Sequence, residues 1–259
     1  MEKTISAYTI PYTEQWEMES ETGRLYRISM FVPNAPIPEE GFPVMYVLDG
    51  NAIFSSVVEA ARLQSYASEA AEPAVIVGIG YPTDEPYDYA ARSWDYTSAD
   101  SKKGAGGADA FLYFLERDLK PSVESKTSIN IGKAGLFGHG LGGLFTLYAL
   151  LHKPELFDTY IAGSPEIGRD NRHLVSLEED LYNQLREWEE VGNLQFKSLL
   201  LGVGAAEDAD VIEEVRQMHI RLFDWQLSNF EVDLRIFLEE GHITMLHPLI
   251  SRGMAHFLQ

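Results

Sequence analysis

The stretch from residue 134 to residue 152 constrains the fold more than any other part of the chain. Residues 134–137 form a short apolar run, and Gly138-His139-Gly140-Leu141-Gly142-Gly143 follows it. From about Leu141 to His152 the chain then carries Leu144, Phe145, Leu147, Tyr148, Leu150 and Leu151, with scarcely a polar face. A short apolar run closed by glycine reads as a buried strand. A helix that is apolar nearly all round must itself be buried. A strand that turns through glycine straight into such a helix belongs to a largely parallel sheet with helices on both faces.

The rest of the chain repeats this alternation. Strands are predicted at 25–32, 44–48, 75–79, 159–162, 199–203 and 232–237. Ala108, Phe111, Leu112, Leu115 and Leu119 recur at helical spacing, with Pro121 just beyond. Ser176 opens a capping-box pattern with Glu179 in an amphipathic segment bearing Leu177, Leu181, Leu185 and Trp188. A helix with Val211, Val215, Met218, Leu222 and Trp225 follows, and a last helix covers 243–258. No linker rich in Pro, Gly or Ser interrupts the pattern, so residues 1–259 are expected to form one α/β domain. Residues 169–190 are either a lid over a pocket or a helix packed on the sheet edge.

Charge and composition exclude several classes of function. Twenty basic against forty acidic residues give a formal charge of −20, which repels nucleic acid and anionic membranes. With no cysteine, disulfides, thiolate metal sites and a cysteine nucleophile are ruled out. The first residues show no basic segment followed by an apolar run, and no stretch approaches the ~18 apolar residues of a membrane span. A cytoplasmic location is therefore expected. Oligomeric state is not legible.

The glycine turn has the form G-x-x-x-G, with Gly138 and Gly142 outside and Gly140 in the middle. In serine hydrolases the middle residue is the nucleophile, projected at the end of the sheet by a sharp turn. Glycine has no oxygen with which to attack a carbonyl carbon. A phosphate cradle is the competing reading, but neither a Lys-Ser/Thr pair nor a ribose-binding acid accompanies the turn, and no cofactor or metal is expected. In the order nucleophile, acid, histidine, His242 after the last strand is the candidate base, with His247 a weaker one. Glu207 is the candidate acid; its neighbour Asp208 looks like a helix N-cap. Backbone N–H groups of Leu141 and Asn51 are the candidate oxyanion donors, the latter in Asp49-Gly50-Asn51. His139 stands beside the turn, either lining a substrate site or bonding locally.

Several segments together resemble the esterase-D-like branch of the α/β-hydrolases, in particular its siderophore esterases. They are Pro43-Val-Met-Tyr-Val-Leu-Asp-Gly-Asn51, Arg92-Ser-Trp-Asp-Tyr-Thr97, Gly106-Gly-Ala-Asp-Ala-Phe111, the glycine turn, Lys153-Pro-Glu-Leu-Phe157, Ser164-Pro165 and Gly241-His242. The resemblance covers most of 20–258 and implies an ester-hydrolysing fold whose ligand is a small ester or siderophore-like molecule. It also implies that Arg92 positions an anionic or catecholate substrate, unless it pairs with Asp95. Two departures stand out: Gly140 in place of serine, and Glu166-Ile-Gly168 where the family continues with Ser and aromatic residues. Hydrolysis impaired by the missing hydroxyl, ligand binding without turnover, and acyl transfer on the same fold are the three functions this pattern allows.

Overall fold

The computed structural model describes residues 7–67, 71–99, 106–169, 171–192 and 195–258. Positions 1–6 of the N-terminal segment and position 170 of the 169–190 segment lie outside the described residues. The strands are β1 (Thr13–Glu19), β2 (Leu25–Phe31), β3 (Phe42–Leu48), β4 (Val75–Gly80), β5 (Ile129–His139), β6 (Thr159–Gly163), β7 (Lys197–Gly204) and β8 (Phe230–Phe237). They form an eight-stranded sheet in the order β1-β2-β4-β3-β5-β6-β7-β8. The β1–β2 and β2–β4 pairs are antiparallel. All other neighbours are parallel.

The helices are α1 (Gly50–Ala67), α2 (Tyr89–Asp95), α3 (Ala108–Phe114), α4 (Lys120–Glu124), α5 (Leu141–His152), α6 (Asn171–Glu190), α7 (Ala209–Phe223) and α8 (Leu246–Phe257). Strand alternation sorts the core into two layers. In β3, Val44, Tyr46 and Leu48 face the side covered by α3, α5, α6 and α7. Met45 and Val47 face α1 and α8, meeting Val57, Val58, Leu249 and Met254. A parallel sheet covered on both faces gives strands that are apolar throughout rather than alternating, and every residue of β3 and β7 is buried.

Some local expectations shift. Pro121 lies in the first turn of α4, not beyond the helix, because α3 continues through a π-helical stretch, Leu115–Leu119, into α4. Proline lacks an N–H, so a register change at that point loses no hydrogen bond. Ser176 does not start a helix: α6 already begins at Asn171, and Ser176 Oγ donates to the His173 carbonyl at 2.6 Å. Leu174, Leu181 and Leu185 of α6 are buried in the same layer as α5. Among the described residues no helix is long and apolar enough to cross a membrane.

Candidate active site

The carboxyl ends of β3, β5, β6, β7 and β8 come together at one edge of the sheet, where ligands of parallel α/β folds bind. Three adjacent strands end there in left-handed backbone: Asp49 after β3 (φ 53°), Gly140 after β5 (φ 60°) and Ser164 after β6 (φ 39°). Such strain collects at functional sites because the surrounding fold must enforce it.

Gly140 joins β5 to α5 with φ 60° and ψ −119°. The turn is tight enough that a β-carbon on Gly138 would stand 2.1 Å from the Gly142 carbonyl oxygen, so only glycine fits position 138. A β-carbon on Gly140 would stand 3.3 Å from His242 Nε2, 3.5 Å from His242 Cε1 and 3.9 Å from Glu166 Oε1. The imidazole that the sequence places 102 positions away, at 242 against 140, thus faces the middle of the elbow.

His242 is oriented from behind by Glu207. Its Nδ1 lies 2.9 Å from Glu207 Oε2, which requires the proton on Nδ1 and leaves the Nε2 lone pair toward Gly140. The Glu207 side chain is only 3% exposed. Its Oε1 accepts from Ser164 Oγ at 2.6 Å and from the Gly204 N–H at 2.7 Å. Burial pushes the Glu207 carboxyl up, but the bonds from His242, Ser164 and Gly204 outweigh it and hold the group below the ordinary glutamate value. Asp208 sits at the N-cap position of α7 but makes no capping bond with its side chain.

On the other side of the elbow, Arg92 reaches Asp49 rather than Asp95. Its Nε and Nη2 donate to Asp49 Oδ1 at 2.9 Å and Oδ2 at 2.8 Å. Asp95 is taken by Arg24 at 2.8 Å and by the Tyr81 hydroxyl at 3.1 Å. Residues 92 and 95 are one turn apart on α2, but the helix turns Arg92 toward the end of β3. Tyr87 and Tyr96 lie 5.0 and 5.6 Å from the guanidinium. Burial opposes the Arg92 charge, and the hydrogen bonds and charge of Asp49 more than offset it.

Asn51 and Leu141 occupy the first turns of α1 and α5, where backbone N–H groups lack intrahelical acceptors. The two helix starts are neighbours: a β-carbon on Gly142 would stand 3.2 Å from Asp49 Oδ2 and 3.5 Å from Leu48 Cβ. The Asn51 side chain is committed elsewhere, donating to the Tyr81 and Thr83 carbonyls and accepting from the Tyr81 N–H.

His139 is buried at the end of β5, its ring 4.5 Å from that of His242. Its Nε2 has no hydrogen-bond partner among the described residues. Burial, and then the neighbouring His242, lower its pKa to about 4. His247 lines a groove with Ser55, Glu59 and Ser251 between α1 and α8 and is not part of this cluster.

Three residues of the site were not singled out for a role by sequence reasoning. Ser164 stood in a quoted motif, Glu166 marked a departure from it, and Asp49 was read as half of a turn. Glu166 is 34% exposed; its Oε2 pairs with Arg169, while its Oε1 is turned to Gly140. Among the described residues, no group of three or more His, Asp or Glu is arranged to hold a metal ion.

The chain is 38% identical over 269 residues to the ferri-bacillibactin esterase BesA of Bacillus subtilis (strain 168), covering 97% of this chain and 91% of that one. The crystal structure of the BES protein from Bacillus cereus superposes with a TM-score of 0.91 at 34% identity, covering 100% of both chains. The siderophore hydrolase EstB from Aspergillus nidulans gives 0.80 at 26% identity over 98% of both. With the Esterase family model matching residues 20–218, this chain belongs to the Esterase family and has the α/β-hydrolase fold.

Proposed function

We propose that this chain takes carboxylic esters of the siderophore kind at the elbow edge of its sheet, and that Gly140 has removed the serine route of hydrolysis while the rest of the machinery is kept. The observation that carries this reading is the 3.3 Å between His242 Nε2 and the β-carbon point of Gly140. A serine there would bring its hydroxyl within hydrogen-bond reach of the base. His242 would take its proton, and the Leu141 and Asn51 N–H groups would hold the oxyanion. Glu207 keeps the imidazole in the required tautomer. The similar proteins named for siderophore esters support the substrate class.

The test is Gly140→Ser. Hydrolysis of an aryl ester and of a bacillibactin-type trilactone should rise by about 10³-fold or more in kcat/KM, the scale on which a lost nucleophile is felt. The same change should lower stability by about 1–3 kcal/mol, because a side chain is forced into strained backbone. No gain in hydrolysis by a folded Gly140→Ser protein would overturn the reading.

Gly140 itself favours a second reading, a ligand-holding protein without turnover. Titration calorimetry with the intact trilactone separates the two. Saturable heat with no released acid or alcohol supports holding alone; product formation during the titration excludes it.

A further inference from the structure

Glycine at the elbow leaves the β-carbon point between two polar groups, His242 Nε2 at 3.3 Å and Glu166 Oε1 at 3.9 Å. Arg169 ties the other Glu166 oxygen, so the free one is held toward the elbow. A serine esterase has no use for a second carboxylate here; a site that must bind and activate water has. The geometry points to Glu166 as a catalytic residue that, with His242, seats a nucleophilic water where the serine hydroxyl would stand. This inference rests on the ester reading above and adds a route by which the chain as it exists turns esters over.

The water donates one hydrogen bond to each acceptor. His242 Nε2 takes one proton as the water oxygen attacks the ester carbon, and the carbonyl π pair moves to the oxygen facing the Leu141 and Asn51 N–H groups. The tetrahedral adduct collapses, the bond to the alkoxy oxygen breaks, and the imidazolium returns its proton to that oxygen. Ester and water become acid and alcohol in a single displacement, with no covalent acyl-enzyme. Glu166 accepts the second water proton in a hydrogen bond throughout, aiming the oxygen and favouring the cation on His242.

The experiment follows hydrolysis of a p-nitrophenyl ester by the full chain and by its Glu166→Gln, Glu166→Ala, His242→Ala and Gly140→Ser variants, each checked for an unchanged circular dichroism spectrum. The unaltered chain should hydrolyse slowly, without a burst, and should be indifferent to an organophosphate that labels an elbow serine. His242→Ala and Glu166→Gln should each lower the rate by about tenfold or more, the scale of a lost general-base contribution. Added formate should restore part of the Glu166→Ala rate, an effect a merely structural role would not produce. In the Gly140→Ser background the loss on Glu166→Gln should be smaller by a factor of about five or more, since the serine oxygen then replaces the water.

Equal rates for the unaltered chain and Glu166→Gln, or no rate above that of His242→Ala, would overturn the water seat. These outcomes are separable from failure of the ester reading. If Gly140→Ser hydrolyses the ester and Glu166→Gln is silent, only the water seat falls. If Gly140→Ser is inert, the ester reading falls and the water seat with it.

Discussion

Asp49 and Glu207 are both buried carboxylates at strand ends beside Gly140, yet one faces a guanidinium and the other an imidazole. Asp49 binds Arg92 through both oxygens; burial pushes its carboxyl up while the Arg92 guanidinium opposes that shift and itself stays charged. Glu207 divides its oxygens between His242 on one side and Ser164 and Gly204 on the other. Its partner ring is 44% exposed and turns its second nitrogen toward Gly140. The doubly bonded ion pair fixes the loop that opens α1; the carboxylate–imidazole pair serves the proton transfer proposed above. Position 140 lies between a scaffold and the proposed base.

If that division is right, the scaffold side should cost stability when broken. Arg92→Met keeps the length of the side chain and removes the charge, leaving Asp49 buried without its partner. The expected loss is about 3–5 kcal/mol, the usual result of orphaning one member of a buried ion pair. Chemical denaturation measures it directly. Adding Asp49→Asn to Arg92→Met should recover part of the loss, since the uncompensated charge then disappears. A loss below about 1 kcal/mol for Arg92→Met would put the pair among weak surface bridges and erase the contrast.

The working side should instead cost rate. In the Gly140→Ser protein, Glu207→Gln is expected to lower kcat by roughly 10²-fold with little change in stability, because glutamine keeps the shape and the Ser164 and Gly204 bonds but not the charge that favours the imidazolium. Steady-state kinetics on one ester at fixed pH decides it. A change of less than about threefold would mean that histidine and serine suffice and that Glu207 only orients the ring.

What could be read from the sequence divides along similar lines. The β5 turn and α5 were legible because their signals are local: glycines at fixed spacing and a helix with no polar face. His242 and Glu207 were legible because chain order and strand ends bring them in turn. Strand β1 was missed, since TEQWEME at the sheet edge has too few apolar residues to show a buried face. Helix α1 was missed although Ile53, Val57, Val58 and Ala61 keep helical spacing, because Asp49-Gly50 reads as a turn. The choice of Asp49 over Asp95 by Arg92 joins residues 43 positions apart and depends on which way α2 is rotated, which no local pattern carries. The bond from Ser164 to Glu207 spans another 43 positions, and Glu166 meets Gly140 only because β6 lies beside β5.

His139 gives the comparison its finest test, since it packs against the His242 imidazole and feels Arg92 only through its charge. Its ring packs on His242, and burial followed by that neighbour holds its pKa at about 4 against an ordinary 6.5. It is therefore neutral in the folded chain and protonated in the unfolded chain over the interval between those values. The unfolded state binds more protons there, so stability is full above about pH 6.5 and falls as pH drops toward 4. Between pH 7 and pH 5 the loss from this group alone is about 2 kcal/mol at 1.36 kcal/mol per pKa unit. Glu207 acts in the same direction but lower, since its depressed pKa makes its contribution fade only below the ordinary glutamate value. Asp95, whose carboxyl is pushed up to about 6 by burial, acts in the opposite direction across this window, so the histidine contribution is read as the difference between the unaltered chain and His139→Asn in denaturation at pH 7, 6 and 5. His139→Asn should lose about 2 kcal/mol less than the unaltered chain across that window, whatever it does to the absolute value. If the variant and the unaltered chain lose stability in parallel between pH 7 and 5, the acid sensitivity belongs to another group, and the two sides of the elbow differ in partner but not in response to protons.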